Sequence, residues 1–216
     1  MKILLLDSGL GLIPFINEII KNDKKNSYFL FMDYENFPYG KKKISFLVKR
    51  LEYLLKQFEV LGIDKLLICC NTMSKIYERV KYKPKYKVKT ILSLNLSHLG
   101  NSYLLVTPTL KKLFKANDQV ISCNLASSIE KYDYVKIINE IKSFNFNKTV
   151  ILGCTHFPLV KSIFNHYSSF KTRSYENEFI SKIENGNVMK FYGRDYEINI
   201  FKKYFPDIRI LTYYLS

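Results

Sequence analysis

The sequence predicts an α/β fold made of two similar halves, each built on a parallel sheet. Three observations predict it. Short, continuous apolar runs end in polar or glycine residues, helix-period stretches separate them, and the pattern echoes weakly in the second half of the chain. Apolar runs of four or five residues, with no alternation, suit strands covered on both faces, as in parallel sheets.

The first run, Ile3 to Leu6, ends in Asp7-Ser8-Gly9, and the second, Tyr28 to Met32, ends at Asp33. Ile44 to Val60 then places Phe46, Leu47, Leu51, Leu54, Leu55 and Phe58 largely on one face of a helix. The third strand runs from Lys65 through Cys69-Cys70 to Asn71-Thr72, and Val88 to Leu94 reads as a strand after the lysine-rich Lys81–Lys89 stretch. A crossover is expected near Ser97–Asn101. Tyr103 to Val106 is a strand ending in Thr107-Pro108-Thr109, Ile129 to Ile141 a helix, and Thr149 to Leu152 a strand ending in Gly153-Cys154-Thr155-His156. Leu159 to Tyr167 and Asp195 to Tyr204 complete the helices, the last able to pack back on the first half. The echo pairs Ile63–Lys75 with Asn147–Lys161, where a strand delivers a Cys, a Thr and then a helix. Each half thus supplies one thiol at a strand's carboxyl end, where open α/β sheets bind ligands.

Bulk properties narrow the function classes. The 216 residues suit one large domain or two compact ones, and 47% hydrophobic with 25% charged residues is ordinary globular usage. No apolar run approaches the roughly 20 residues of a membrane span. No signal peptide is visible at Met1-Lys2, so a cytoplasmic location is expected. Four cysteines, two of them adjacent, do not form a disulfide framework. The net charge of +15 comes mainly from scattered lysines; the arginines are Arg50, Arg79, Arg173, Arg194 and Arg209. A solvated lysine surface is the expectation, with a polyanion site as its rival.

Paired thiols at matched strand ends, beside polar residues, are candidate acid/base groups. A thiol, with an ordinary pKa of about 8.5, serves as acid or base near neutrality. Cys70 and Cys154 are the candidates, whereas Cys69 and Cys123 read as small core hydrophobes. His98 and His166 read as surface residues. A metal site at Cys70, Cys154 and His156 is disfavoured, because no C-x₂₋₄-C pair accompanies them.

Asp7-Ser8-Gly9-Leu10-Gly11, Pro38-Tyr39-Gly40, Cys70-Asn71-Thr72 and Gly153-Cys154-Thr155-His156 stand in the order and approximate spacing of the glutamate racemases, and the chain resembles that family over nearly its whole length. Aspartate racemases share the two-cysteine plan but tend to carry an acidic residue where His156 stands. The resemblance implies two flavodoxin-like α/β halves with parallel sheets and an active site in the cleft between them. It implies a first half of residues 1–94 completed by 186–216, and a second, shortened half of 95–185. It implies catalysis by Cys70 and Cys154, with Asp7 attending the first and His156 the second, the Cys154 thiol deprotonating L-glutamate and Cys70 the D-isomer. Substrate contacts would come from Asp7, Ser8, Tyr39, Gly40, Asn71, Thr72, Thr155 and His156, with Thr107 and Thr109 where the family has further threonines. No cofactor or metal is implied. The product would feed peptidoglycan precursors, and a homodimer is expected.

The chain departs from the family in three places. Leu12 stands where a second consecutive glycine is usual, which either crowds the backbone or is accommodated at a helix start. Thr107 and Thr109 are two apart rather than three. Relative to the family, residues are trimmed around Ser97–Asn101 and Lys131–Tyr134. Two rival functions stay open: racemisation of another amino acid such as aspartate, and a low-activity binding or regulatory relative meeting nucleic acid through its basic surface.

Overall fold

The computed structural model describes residues 1–114 and 116–215. Its strands are β1 (Lys2–Asp7), β2 (Ser27–Met32), β3 (Lys65–Ile68), β4 (Lys87–Thr90), β5 (Tyr103–Val106), β6 (Val120–Ser122), β7 (Val150–Leu152), β8 (Thr172–Arg173), β9 (Lys190–Gly193) and β10 (Ile210–Thr212). The helices are α1 (Ile13–Lys21), α2 (Ile44–Val60), α3 (Asn71–Tyr77), α4 (Ile91–Ser97), α5 (Pro108–Leu113), α6 (Ala126–Glu130), α7 (Tyr134–Lys142), α8 (Lys161–Tyr167), α9 (Glu176–Ser181) and α10 (Asp195–Tyr204).

Two sheets form, one in the order β10-β9-β2-β1-β3-β4 and one in the order β6-β5-β7-β8. Every pairing in both is parallel. The echo in the sequence is an echo in topology: β2-β1-β3-β4 and β6-β5-β7-β8 repeat one strand order. In each half the order reverses beside the first strand, so the crevice at the carboxyl ends of β1 and β3 matches that of β5 and β7. Cys70 follows β3 and Cys154 follows β7.

The uninterrupted apolar strands are buried on both faces, as their lack of alternation implied. Leu4 and Leu6 of β1 face one core with α2, whereas Ile3 and Leu5 face the other with α1. Each fully buried leucine or isoleucine contributes roughly 2 kcal/mol of transfer free energy. On α2, Leu47, Leu51, Leu54, Leu55 and Phe58 are buried, but Phe46 lies off that face and is 41% exposed. A third core under the smaller sheet gathers Leu105, Ile137, Ile141, Phe157 and Phe164. The C-terminal segment adds β9 beside β2, and Phe201 of α10 joins the larger sheet's core.

Several expected elements take different bounds. Val88 to Leu94 is strand only to Thr90; Ile91 onward forms α4, which buries Ile91, Leu92 and Asn95 and packs on α3 through the Asn95–Asn71 hydrogen bond. The helix expected over Ile129 to Ile141 is broken, because Tyr132 adopts φ +55 and the Asp133 side chain restarts α7 by accepting from Lys136 N. The third strand stops at Ile68, leaving Cys69 and Cys70 beyond its end. Phe157–Val160 is a tight turn ahead of α8. Leu12 is accommodated: it is fully buried in the core at the entry to α1, with helical φ and ψ. Lys81, Lys83, Lys85, Lys87 and Lys89 are all exposed. Among the described residues no helix is long and apolar enough to cross a membrane.

Candidate active site

The carboxyl ends of both sheets meet at one buried cavity of about 20 Å³, room for about one water molecule. From the first half it is lined by Ser8, Tyr39, Gly40, Cys70, Asn71 and Thr72, with Phe37 and Pro38; from the second by Thr107, Ala126, Gly153, Cys154, Thr155 and His156. Cys70 and Cys154 are each 7% exposed. The cleft is shut too tightly for an amino acid, so a ligand must widen it.

Several polar contacts cross the cleft. Thr155 Oγ1 donates to Asp7 Oδ2 at 2.8 Å, Leu10 N donates to Glu130 Oε1 at 2.9 Å, and the hydroxyls of Thr72 and Thr107 lie 3.0 Å apart. Two glycines make the first pair of contacts feasible. A Cβ on Gly11 would come within 2.7 Å of Thr155 Cβ, and one on Gly9 would overlap the Glu130 carboxylate. The glycine motif after β1 is therefore a seat for side chains of the other half.

Asp7 lies beneath the cavity, fully buried, with Oδ1 also accepting from Gly9 N at 3.1 Å. Burial raises its carboxyl, against the His156 charge and the bonds from Thr155, Gly9 and Ser8, and the balance stays above the ordinary value. The Cys70 thiol is pushed well up, by burial first and by the Asp7 charge second; the N–H groups of Met73 and Thr72 at the start of α3 only partly offset this. Cys70 is thus held as the protonated thiol.

His156 is 2% exposed and stands between two groups. Its Nδ1 lies 4.0 Å from Cys154 Sγ, and its Nε2 lies 2.7 Å from Glu130 Oε1. Burial alone would lower the imidazole, but the contacts with Cys154 and Glu130 and the Asp7 charge outweigh it and lift it to about 10. His156 is an imidazolium at neutral pH.

Tyr39 lines the cavity, while its hydroxyl donates to Asp33 Oδ2 at 2.6 Å. Asp33 also takes both prongs of Arg50, at 2.9 and 2.6 Å, and a bond from Asn36. Burial raises the Asp33 carboxyl, but these bonds together hold it below the usual range. Asn71 opens α3 and accepts at Oδ1 from Asn95. Thr107 caps α5 by accepting from Leu110 N, and Gly40 packs on its side chain. Two of the expected residues do not line the cavity: Asp7, which lies beneath it, and Thr109, whose hydroxyl is turned to the Lys42 carbonyl at 3.5 Å.

Sequence reasoning missed Glu130, Asp33 with Arg50, and Asn95. Asp33 carried a usable signal, an acidic residue at the carboxyl end of a buried strand. Glu130 and Asn95 carried none, since each acts on a residue 24 or more positions away. Cys69 and Cys123 are buried in cores, His166 is exposed, and His98 is 37% exposed against Glu178. Among the described residues no three His, Cys, Asp or Glu side chains are grouped to hold a metal.

Two matched α/β halves bring one thiol each to a single buried, polar cavity, the plan of a two-domain α/β protein with its candidate site between the sheets. No protein-family model matches the chain. The glutamate racemase of Aliarcobacter butzleri is 30% identical over 194 residues, covering 74% of this chain and 73% of that one. The glutamate racemase of Buchnera aphidicola is 28% identical, covering 99% of this chain and 94% of the relative. The chain belongs to the glutamate racemases. Solved structures agree in fold: the Campylobacter jejuni glutamate racemase gives a TM-score of 0.77 at 22% identity, covering 97% of this chain and 100% of that one. The Francisella tularensis glutamate racemase, solved with D-glutamate, gives 0.76 at 19% identity, covering 100% and 97%. An aspartate racemase from Picrophilus torridus is more distant, at 0.51 and 17% identity, covering 82% and 90%.

Proposed function

We propose that this protein interconverts L- and D-glutamate by a two-thiol mechanism without cofactor or metal. The observation that carries the reading is the placement of Cys70 and Cys154, from opposite halves, on the walls of one cavity. In the L-to-D direction Cys154, as thiolate, takes the α-proton, and Cys70, as thiol, gives its proton to the opposite face of the same carbon. One C–H bond breaks and one forms, and the thiol and thiolate exchange places. The reverse reaction starts from the exchanged pair. Cys70, whose thiol is pushed up by burial and by the Asp7 charge, suits the proton donor in this direction, and the His156 imidazolium lies beside Cys154.

Removing the α-proton next to a carboxylate builds up negative charge. The donors that would meet it are Ser8, Asn71, Thr72, Thr107 and Thr155, with backbone N–H groups at the starts of the helices. Thr72, Thr155 and Asp7 are engaged across the closed cleft, so substrate would replace protein–protein hydrogen bonds with its own polar groups. Thr109 would join only after a shift of α5.

The division into halves is part of this reading: 1–94 with the C-terminal segment, and 95–185. Phe179 and Ile180 of α9 pack with α1 in the larger sheet's core, which favours a boundary nearer 174 than 185. D-glutamate for peptidoglycan precursors, a cytoplasmic location and a homodimer complete it. Sedimentation velocity tests the dimer, and a monomer at working concentration overturns it.

The function is tested by following glutamate racemisation by circular dichroism, starting from each isomer, with Cys70→Ser and Cys154→Ser alongside. Turnover both ways that either substitution cuts by at least about 10²-fold is expected. Folded wild-type protein that leaves glutamate unchanged but racemises aspartate would move the substrate assignment. Inertness toward both, with salt-sensitive DNA retention, would favour a binding relative.

A further inference from the structure

We propose that Asn95 is a positioning residue for Asn71, holding its amide so that the NH₂ end rather than the carbonyl oxygen faces the cavity and receives a substrate carboxylate. This rests on the reading of the cavity as the glutamate site.

Asn95 Nδ2 donates to Asn71 Oδ1 at 2.8 Å, and the two residues are 2% and 3% exposed. Asn71 lines the cavity, whereas Asn95 stands behind it on α4. A side-chain amide has an accepting end and a donating end, and with the first engaged only N–H donors remain to be presented. Asn71 Nδ2 has no protein acceptor among the described residues, and it is not among the atoms sealed from solvent. A face that only donates suits a carboxylate and disfavours the substrate ammonium, which is itself only a donor.

The helix that carries Asn95 fixes where it can act. Ile91 and Leu92 are buried at the start of α4, and Asn95 lies one turn beyond Ile91 on the same face, against α3. Flipping Asn71 would set its oxygen against the incoming carboxylate, in a closed site where such a clash is poorly screened. Asn95 thereby fixes the polarity of the recognition surface without touching substrate.

The test is steady-state racemisation of both glutamate isomers by wild type, Asn95→Leu, Asn95→Asp, Asn71→Ala and Asn71→Ala/Asn95→Leu. Asn95→Leu removes the donor and is expected to raise KM about tenfold while kcat stays within about twofold. The near-isosteric Asn95→Asp draws the Asn71 NH₂ to itself and is expected to raise KM further. In the Asn71→Ala background the leucine substitution adds nothing to KM, because Asn95 acts only through Asn71. Unchanged KM in Asn95→Leu, or an equal rise with and without Asn71, overturns the proposal while wild-type turnover still upholds the function. Absent wild-type turnover overturns the underlying reading, and this one with it, before any variant is compared.

Discussion

Thr155 Oγ1 reaches Asp7 Oδ2 at 2.8 Å through space that is open only because Gly11 has no side chain. The two hydrogen-bonded residues lie 148 positions apart, Asp7 at the end of β1 and Thr155 in the turn after β7 of the other sheet, so a glycine in the first half sets how closely the second can dock.

Gly11→Ala follows directly. Its Cβ would sit 2.7 Å from Thr155 Cβ and 2.8 Å from Asp7 Oδ1, so the halves must separate or Thr155 must turn away. A loss of about 1–3 kcal/mol in urea unfolding is expected, with a fall in kcat/KM. Unaltered stability would mean that the cleft rests further open.

Leu12→Gly would restore the family's consecutive glycines, yet it should harm this chain. Leu12 is fully buried among core neighbours, and its removal leaves a cavity at the entry to α1. About 3–5 kcal/mol of destabilisation is expected by chemical denaturation. A more stable variant would show that Leu12 crowds the backbone instead.

Glu130→Gln should change the pH dependence of stability. His156 titrates near 10 when folded, above its ordinary 6.5. Its contribution is therefore complete below about pH 6.5 and is lost as the pH rises through about 10. Removing the Glu130 charge brings the imidazole back toward 6.5, so the wild-type melting temperature should fall more steeply than the variant's between pH 6.5 and 10. Parallel curves would argue against the ion pair.

Arg50→Met leaves the Asp33 carboxylate, 2% exposed, without its bidentate partner. A cost of about 3 kcal/mol is expected from the stranded charge. Tyr39, whose hydroxyl depends on Asp33, should loosen as well and raise KM for glutamate. Because the folded Asp33 carboxyl is depressed, its contribution is present above the ordinary carboxylate range and fades as the pH falls through the folded value, so wild type and variant should converge in acid.

Much of this site was legible because its main parts are local. A buried strand, a Cys at its end and a helix start within a few residues place Cys70 and Cys154 by short-range pattern alone. Asp7, Ser8 and the residues beside each thiol follow from the same strand ends. The bounds of α4 and the break before α7 were not legible, since Ile91 and Leu92 pack equally well in either periodicity until α3 is there to meet them, and the left-handed Tyr132 has no glycine to announce it.

The sequence by itself determined the two-sheet α/β plan, the thiol in each half and the family, because strand periodicity and strand-end chemistry are written in consecutive residues. Only the tertiary structure decided that Glu130 would hold His156 and Leu10, that Asn95 would hold Asn71, and that Thr109 would stand aside. Those are contacts between segments 24 to 120 residues apart, and where two such side chains meet depends on how whole helices and sheets pack, which no local pattern encodes.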